Sequence, residues 1–373
     1  MTAVRQRIPV SEPLIGEAAR LNVLRCLDEG FISSEGAFVG EFERAWAAYC
    51  GRAHGVAVTN GTAALELAMS VVGLQPGDEV IMPSFTIVSC AIAILEARAV
   101  PVLVDCDPET WCMDAAAVAA RVGPRTRAIM PVHIYGHPVD MDALLAVADR
   151  HGLAVIEDAA EAHGAEVRGR RAGSFGALSC FSFYANKIVT TGEGGMVLTD
   201  DAALAERLRS GRNLAFLPER RFVHEELGHN YRLTNLQAAV GVAQVAAIDE
   251  HLRRKREMAA RYDERLRDLP LQLPVERPWA KNVYWMYGVV LRDDAGIERD
   301  ELARRLRERG VETRPFFVGM HEQPALLRLG LFAGERHPVT ERISRQGLYL
   351  PSGLTLTAEQ QDAVCAALAE ALG

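Results

Sequence analysis

The sequence predicts an α/β protein with a largely parallel sheet and a small C-terminal α+β domain. Three observations point there. Short apolar runs alternate with helical spacing over the first two-thirds of the 373 residues. Two closely spaced apolar runs then flank a glycine-containing loop. A long helical pattern finally leads into a last third of mixed character. At roughly 100–200 residues per domain, such a length suggests two domains. The expected division is an N-terminal arm and large domain over 1–248 and a small domain over 249–373.

The runs 56–59, 79–82, 100–105, 127–133 and 153–158 read as strands, and 63–72, 87–97, 114–121 and 141–150 between them as helices. This alternation puts helices on both faces of the sheet and ligands beyond the carboxyl ends of its strands. The runs 177–184 and 195–199 are read as two short strands around the polar loop 186–194. Thr234 has the character of an N-cap. It would open one long helix through 236–248 and the charged run 251–256, on toward Leu266. Beyond it, 284–291 and 312–317 are expected as strands, and 299–309 and 358–372 as helices.

Composition narrows the function classes. With 41 Lys+Arg against 49 Asp+Glu, the net charge is −8, which argues against nucleic acid as the main partner. No apolar stretch is long enough for a membrane span, and Arg5, Arg7, Glu12 and Glu17 interrupt the first residues where a secretory signal would be apolar. The seven cysteines are scattered through apolar runs with no CxxC pair, as expected of reduced thiols in a cytoplasmic protein without a metal site. His133 and His137 flank Tyr135-Gly136 and precede Pro138, so they fit a turn rather than a helical metal pair. Gly192-Glu193-Gly194-Gly195 is not followed by the GK[ST] of a Walker loop. Arg253–Arg256 is expected as a solvated helix face.

Three segments could carry chemistry. Lys187 follows the apolar run Phe181-Ser182-Phe183-Tyr184 and precedes the small-residue loop Thr190-Thr191-Gly192-Glu193-Gly194-Gly195. A lysine partly desolvated there becomes nucleophilic and can form a Schiff base with an aldehyde cofactor. Asp158 ends the apolar run Val155-Ile156-Glu157 and needs a partner to stay charged. In Thr59-Asn60-Gly61-Thr62-Ala63 a strand turns through glycine into a helix whose first N–H groups suit a phosphate. Singly, these are open to plain structural readings as a surface charge, a loop cap and a helix entry. Together, at predicted strand ends, they match what pyridoxal 5′-phosphate requires.

These residues also resemble a known family over nearly the whole chain, the nucleotide-sugar aminotransferases of the fold type I pyridoxal-phosphate enzymes. The similarity runs through Phe31-Ile32-Ser33-Ser34-Glu35-Gly36, Pro83-Ser84-Phe85-Thr86, Thr110-Trp111-Cys112-Met113-Asp114 and Pro131-Val132-His133-Ile134-Tyr135-Gly136-His137-Pro138. It continues through the Asp158 and Lys187 segments to Asn230-Tyr231-Arg232-Leu233-Thr234-Asn235 and Thr313-Arg314-Pro315. The resemblance implies a mostly parallel seven-stranded sheet and a cofactor that cycles through pyridoxamine phosphate. It gives Lys187 the covalent attachment, Asp158 the pyridine nitrogen, and Gly61, Thr62 and Ser182 the phosphate. Glu161 would lie near the ring hydroxyl, and Asn230 would reach the phosphate of a neighbouring subunit. A homodimer with interfacial active sites, able to pair into a tetramer, is implied in turn. Arg232, His163, Arg314 and His321 are implied substrate contacts. Many relatives carry an aromatic residue where this chain has Ile87, so ring packing is expected from Ile87 with Phe85 nearby.

The implied reaction is transfer of an amino group from L-glutamate to a nucleotide-linked 4-keto-6-deoxyhexose. The Thr190–Gly195 segment is similar to that of C4-aminating members, which points to GDP-4-keto-6-deoxy-D-mannose as acceptor. The same chemistry on a dTDP- or UDP-linked keto sugar or a keto-cyclitol is the alternative. Sugar dehydratases related to this family have histidine in place of the lysine, so Lys187 favours amino transfer. A non-catalytic regulator would have little use for Asp158, Glu161, Ser182 and Lys187 together.

Overall fold

In the computed structural model, which describes residues 7–217 and 219–373, seven strands form the main sheet. They are β1 (His54–Val58), β2 (Glu79–Pro83), β3 (Val100–Val104), β4 (Thr126–Ile129), β5 (Ala154–Asp158), β6 (Leu178–Ser182) and β7 (Gly195–Thr199). Their spatial order is β1-β7-β6-β5-β4-β2-β3, and only β7 runs against the rest. The strands are buried along most of their length, as expected of a sheet covered on both faces.

Local chemistry starts each covering helix. Asn60 caps Gly61–Val71 by accepting the Ala63 N–H, Asp114 caps Ala115–Arg121, and Asp140 caps Met141–His151. The strand expected at 127–133 keeps regular pairing only to Ile129. Pro131 has no N–H to donate, and the chain stays beside β5 through the Pro131 carbonyl and the His133 N–H. Two helices not anticipated, Glu17–Glu29 and Ala37–Cys50, precede the sheet. They pack on Asn235–Ala246, where the buried Asn235 accepts the Phe38 N–H and donates to the Phe31 carbonyl.

Thr234 does open a helix, with a reciprocal capping box to Gln237. The single long helix expected after it is two, Asn235–Ala246 and Ile248–Leu266, broken at Ala247, whose φ of −100° and ψ of 0° leave the helical region. The predicted solvated face at 253–256 also needs correction. Arg253 and Arg254 are exposed and pair with Glu250, but Lys255 is buried.

The last third carries a second sheet of β8 (Leu271–Gln272), β9 (Tyr287–Leu291), β10 (Arg314–Pro315) and β11 (Gly347–Leu350), in the order β8-β9-β11-β10. The two strands expected here are shorter than read: 284–286 lies outside β9, and only two residues of 312–317 pair. Helices Arg299–Glu308 and Ala358–Leu372 close a separate core around Tyr262, Tyr287, Leu302, Leu348 and Leu368. Trp285, Phe316 and Met320 belong instead to the main core. They bring the second sheet against the carboxyl ends of the first.

Candidate active site

A cleft of about 610 Å³ opens where β5 and β6 end. Asn60, Gly61, Thr62, Asp158, Glu161, Ser182 and Lys187 line it together, along with Ile87, Trp285, Phe317 and Tyr349. Asn60, Gly61, Thr62, Asp158, Ser182 and Lys187 meet because parallel strands deliver their ends to one edge. One wall is the start of the Gly61–Val71 helix. A Cβ on Gly61 would lie 2.7 Å from Ser182 Cβ, so only glycine lets that helix start approach the end of β6. Thr62 Oγ1 is 2.8 Å from Ser89 Oγ. Helix N–H groups and hydroxyls thus face one spot, a donor set suited to a phosphate.

Asp158 is 2% exposed. Its Oδ1 accepts the Ala160 N–H at 3.0 Å, and its Oδ2 accepts the Cys90 thiol at 3.2 Å. Both donors are neutral, and among the described residues Asp158 forms no salt bridge. Burial raises its pKa, against the hydrogen bonds and the more distant charge of Lys187. A cationic N–H on a bound ring would supply the missing charge. Lys187 forms no salt bridge among the described residues either. Burial lowers its pKa while Glu161 and Asp158 raise it, so the balance favours the neutral, nucleophilic amine relative to a lysine in water. Burial pushes Glu161 up to about 7, against Lys187 and the Tyr135 N–H that it accepts at 2.8 Å. Aldehyde, ring nitrogen and phosphate each find a matching group here, so the residues fit pyridoxal phosphate.

Other expected site residues lie outside the cleft. Phe85 is fully buried against Tyr135, Phe316 and Phe317, and Ile87, 45% exposed, presents the side chain on the cleft wall. His163 is also sealed, packed on Trp46, Phe181 and Phe183, with Nδ1 accepting the Val189 N–H. Burial lowers its pKa to about 3, as for a neutral core histidine. His321 bonds Ser84 Oγ through Nδ1 at 2.8 Å and lines a different, shallower cavity with Glu341 and Arg345. The expected cofactor contact of Phe85 and the expected substrate contacts of His163 and His321 are not found on the wall of this cleft, because packing has taken their side chains. Arg232 is half-buried and donates to Asn213, Arg314 is exposed on β10 opposite Tyr349, and Asn230 is exposed away from this chain's own cleft.

Trp285, Phe317 and Tyr349 were not anticipated. They come from the last third and reach the cleft only through tertiary packing; an apolar run at 284–291 was visible, but nothing local marked Trp285 as a wall. His133 and His137 have their ring nitrogens hydrogen-bonded within the protein. Val139 N–H bonds His133 Nδ1, so Nε2 carries the proton donated to Glu157, and His137 Nδ1 donates to the Pro138 carbonyl. Among the described residues no cluster of potential metal ligands occurs, and no helix is long and apolar enough to cross a membrane. All seven cysteines are free and buried.

Comparison with known proteins agrees with this geometry. Residues 13–369 match the DegT/DnrJ/EryC1/StrS aminotransferase family. The chain is 45% identical to GDP-perosamine synthase of Caulobacter vibrioides, over 98% of both chains. It is 42% identical to dTDP-3-amino-3,4,6-trideoxy-alpha-D-glucose transaminase of Streptomyces venezuelae, over 84% of this chain and 81% of that one. The solved structure of S. venezuelae DesV superposes with a TM-score of 0.89 at 38% identity, covering 98% of this chain and 99% of the other. The chain belongs to the DegT/DnrJ/EryC1/StrS aminotransferase family, and its chemistry is amino-group transfer with pyridoxal 5′-phosphate as cofactor.

Proposed function

We propose that the enzyme transfers the amino group of L-glutamate to C4 of GDP-4-keto-6-deoxy-D-mannose, forming GDP-perosamine. The observation that carries amino transfer is the desolvated Lys187 in one cleft with the buried, ion-pair-free Asp158. The acceptor rests on similarity to the Caulobacter GDP-perosamine synthase along almost the full length of both chains.

When bound, the cofactor supplies an aldehyde that takes up an amino group and a ring that accepts electrons. Lys187 Nζ is assigned the covalent attachment and, once released, the transfer of a proton at the substrate carbon. Asp158 would hold the protonated ring nitrogen, and Gly61, Thr62 and Ser182 would hold the phosphate. Glu161, poised near neutrality, can donate to or accept from the ring hydroxyl. Ile87 would pack on the bound ring, while Trp285, Phe317 and Tyr349, which line the same cleft, would keep water from the reacting atoms. Arg232 and Arg314 remain the candidates for the diphosphate, since bidentate charge-assisted bonds would offset the net negative charge of the protein.

The working unit in this proposal is a cytoplasmic homodimer. Phe222 and Leu227, 83% and 98% exposed, lie in the segment that leads to Asn230. A partner covering them would bury that apolar surface and bring Asn230 to the neighbouring cleft. Purified enzyme with glutamate and, in parallel, GDP-, dTDP- and UDP-linked 4-keto-6-deoxyhexoses provides the test, with products identified by mass spectrometry and NMR. C4 amination of the GDP sugar is the expected result. Amination of another sugar alone would overturn the acceptor and leave amino transfer standing.

A further inference from the structure

Lys187 Nζ lies 3.5 Å from the centroid of the Trp285 ring, a cation–π distance. The indole is fixed independently of the lysine. Its Nε1–H donates to the Asn186 carbonyl at 2.8 Å, immediately before Lys187. The Trp285 backbone carbonyl accepts from the buried Lys255 Nζ at 2.9 Å, and Lys255 also donates to the Ser352 carbonyl. On the other side, Gly136 leaves no room for a side chain: a Cβ there would meet Trp285 N at 2.6 Å. Trp285 is therefore clamped by the loop that carries Lys187, by the Ile248–Leu266 helix and by the turn after β4. Fixing an aromatic face this firmly beside a mobile amine constrains where the amine rests and which protonation state it prefers there.

We propose that Trp285 is a positioning residue for Lys187, holding the free ammonium over its ring whenever the lysine is detached from the cofactor. This rests on the assignment of Lys187 as the cofactor lysine. Asp158, Glu161 and His163 act on the charge of the amine; Glu66, Tyr184, Glu193, Tyr231 and Tyr349 line the same cleft and Lys255 the cavity beside it, and all are unchanged in the variants below. Loss of the ring face removes stabilisation of the ammonium alone, so the neutral amine gains.

The test is competitive acetylation of the full-length enzyme in its pyridoxamine 5′-phosphate form, with Lys187 labelling followed by mass spectrometry across pH. Below the titration midpoint, Trp285→Leu should raise the neutral fraction of Lys187 about tenfold. Trp285→Phe, which keeps a weaker ring face but loses the Nε1–H, should raise it several-fold less. Should the leucine variant fail to fold, the phenylalanine variant decides alone. A midpoint equal to wild type in the folded variants, or one moved upward, overturns the proposal. Borohydride reduction of wild-type enzyme, followed by peptide mapping, separates the two layers. A label on a lysine other than 187 would remove the underlying assignment, whereas a label on Lys187 with an unmoved midpoint would remove only the role of Trp285.

Discussion

Gly61→Ala isolates the approach of a helix start to a strand end. The new methyl carbon would sit 2.7 Å from Ser182 Cβ, 3.2 Å from Oγ and 3.3 Å from Cα. Ordinary carbon contacts begin near ~3.5 Å, so the helix start and β6 must separate by roughly 0.8 Å. Overpacking of this kind costs about 1–3 kcal/mol. The higher helix propensity of alanine recovers up to about 1 kcal/mol, so global stability changes little. Phosphate binding has no such compensation. Displacing one donor from a charged ligand loses about 1.5–3 kcal/mol, or roughly 10- to 100-fold in cofactor affinity. Equilibrium dialysis of cofactor-free protein with pyridoxal phosphate measures this loss. Ser182→Gly supplies the control, because it removes the Cβ and Oγ that the methyl strikes and leaves only Cα, at 3.3 Å. In that background Gly61→Ala should add little further loss. Wild-type affinity in Gly61→Ala, or an equal penalty in both backgrounds, would refute the steric account.

Glu161→Gln should alter stability against pH. Because its folded pKa of about 7 exceeds the ordinary 4.5, wild-type stability falls as pH rises from about 4.5 to about 7. Urea titrations of cofactor-free protein should show a flatter fall in the variant, and an unchanged slope would contradict the shift. Cys90→Ala removes a donor to Asp158 Oδ2 and should weaken cofactor binding by up to about tenfold, with Cys90→Ser recovering most of it. Affinity identical in all three proteins would deny Cys90 that role. His163→Phe leaves the Val189 N–H unpaired and should cost about 1–3 kcal/mol of stability with the KM for the sugar unchanged. A tenfold rise in KM with stability intact would restore substrate contact to His163.

What could be read from the sequence follows from how local each feature is. β7 and the Ala358–Leu372 helix match their expected bounds, since apolar spacing and a Thr357 capping box are properties of neighbouring residues. The meeting of Gly61, Asp158 and Lys187 was legible because parallel strands send their ends to one edge. The break at Ala247 was not. The local sequence Val245-Ala246-Ala247-Ile248 contains no proline or glycine, and the interruption falls where the helix passes from the main core toward the second. Trp285 and Tyr349 were equally silent, because their place in the cleft depends on the second sheet docking on the first. His163 and His321 carry side chains able to bind a ligand, and only their three-dimensional neighbours show that packing already occupies them.

The placement of Asp158 depends on the residue before it. Side chains alternate across a strand, so Glu157 and Asp158 face opposite sides of the sheet. Glu157 is fully buried and accepts from Gly173 N–H at 2.6 Å, Phe175 N–H at 3.0 Å and His133 Nε2 at 2.8 Å. The carbonyls of that same 173–176 loop accept from Arg52, which also pairs with Asp200. Two charged side chains thus grip one loop by its donors and its acceptors. Three donors around it satisfy both carboxyl oxygens of Glu157 while it is buried. Asp158, on the other face, has among the described residues only Ala160 and Cys90 as donors to its side chain. One carboxylate is fully satisfied within the protein and fixes the strand end; its neighbour is left short of positive charge, and that deficit prepares it for a cationic ligand.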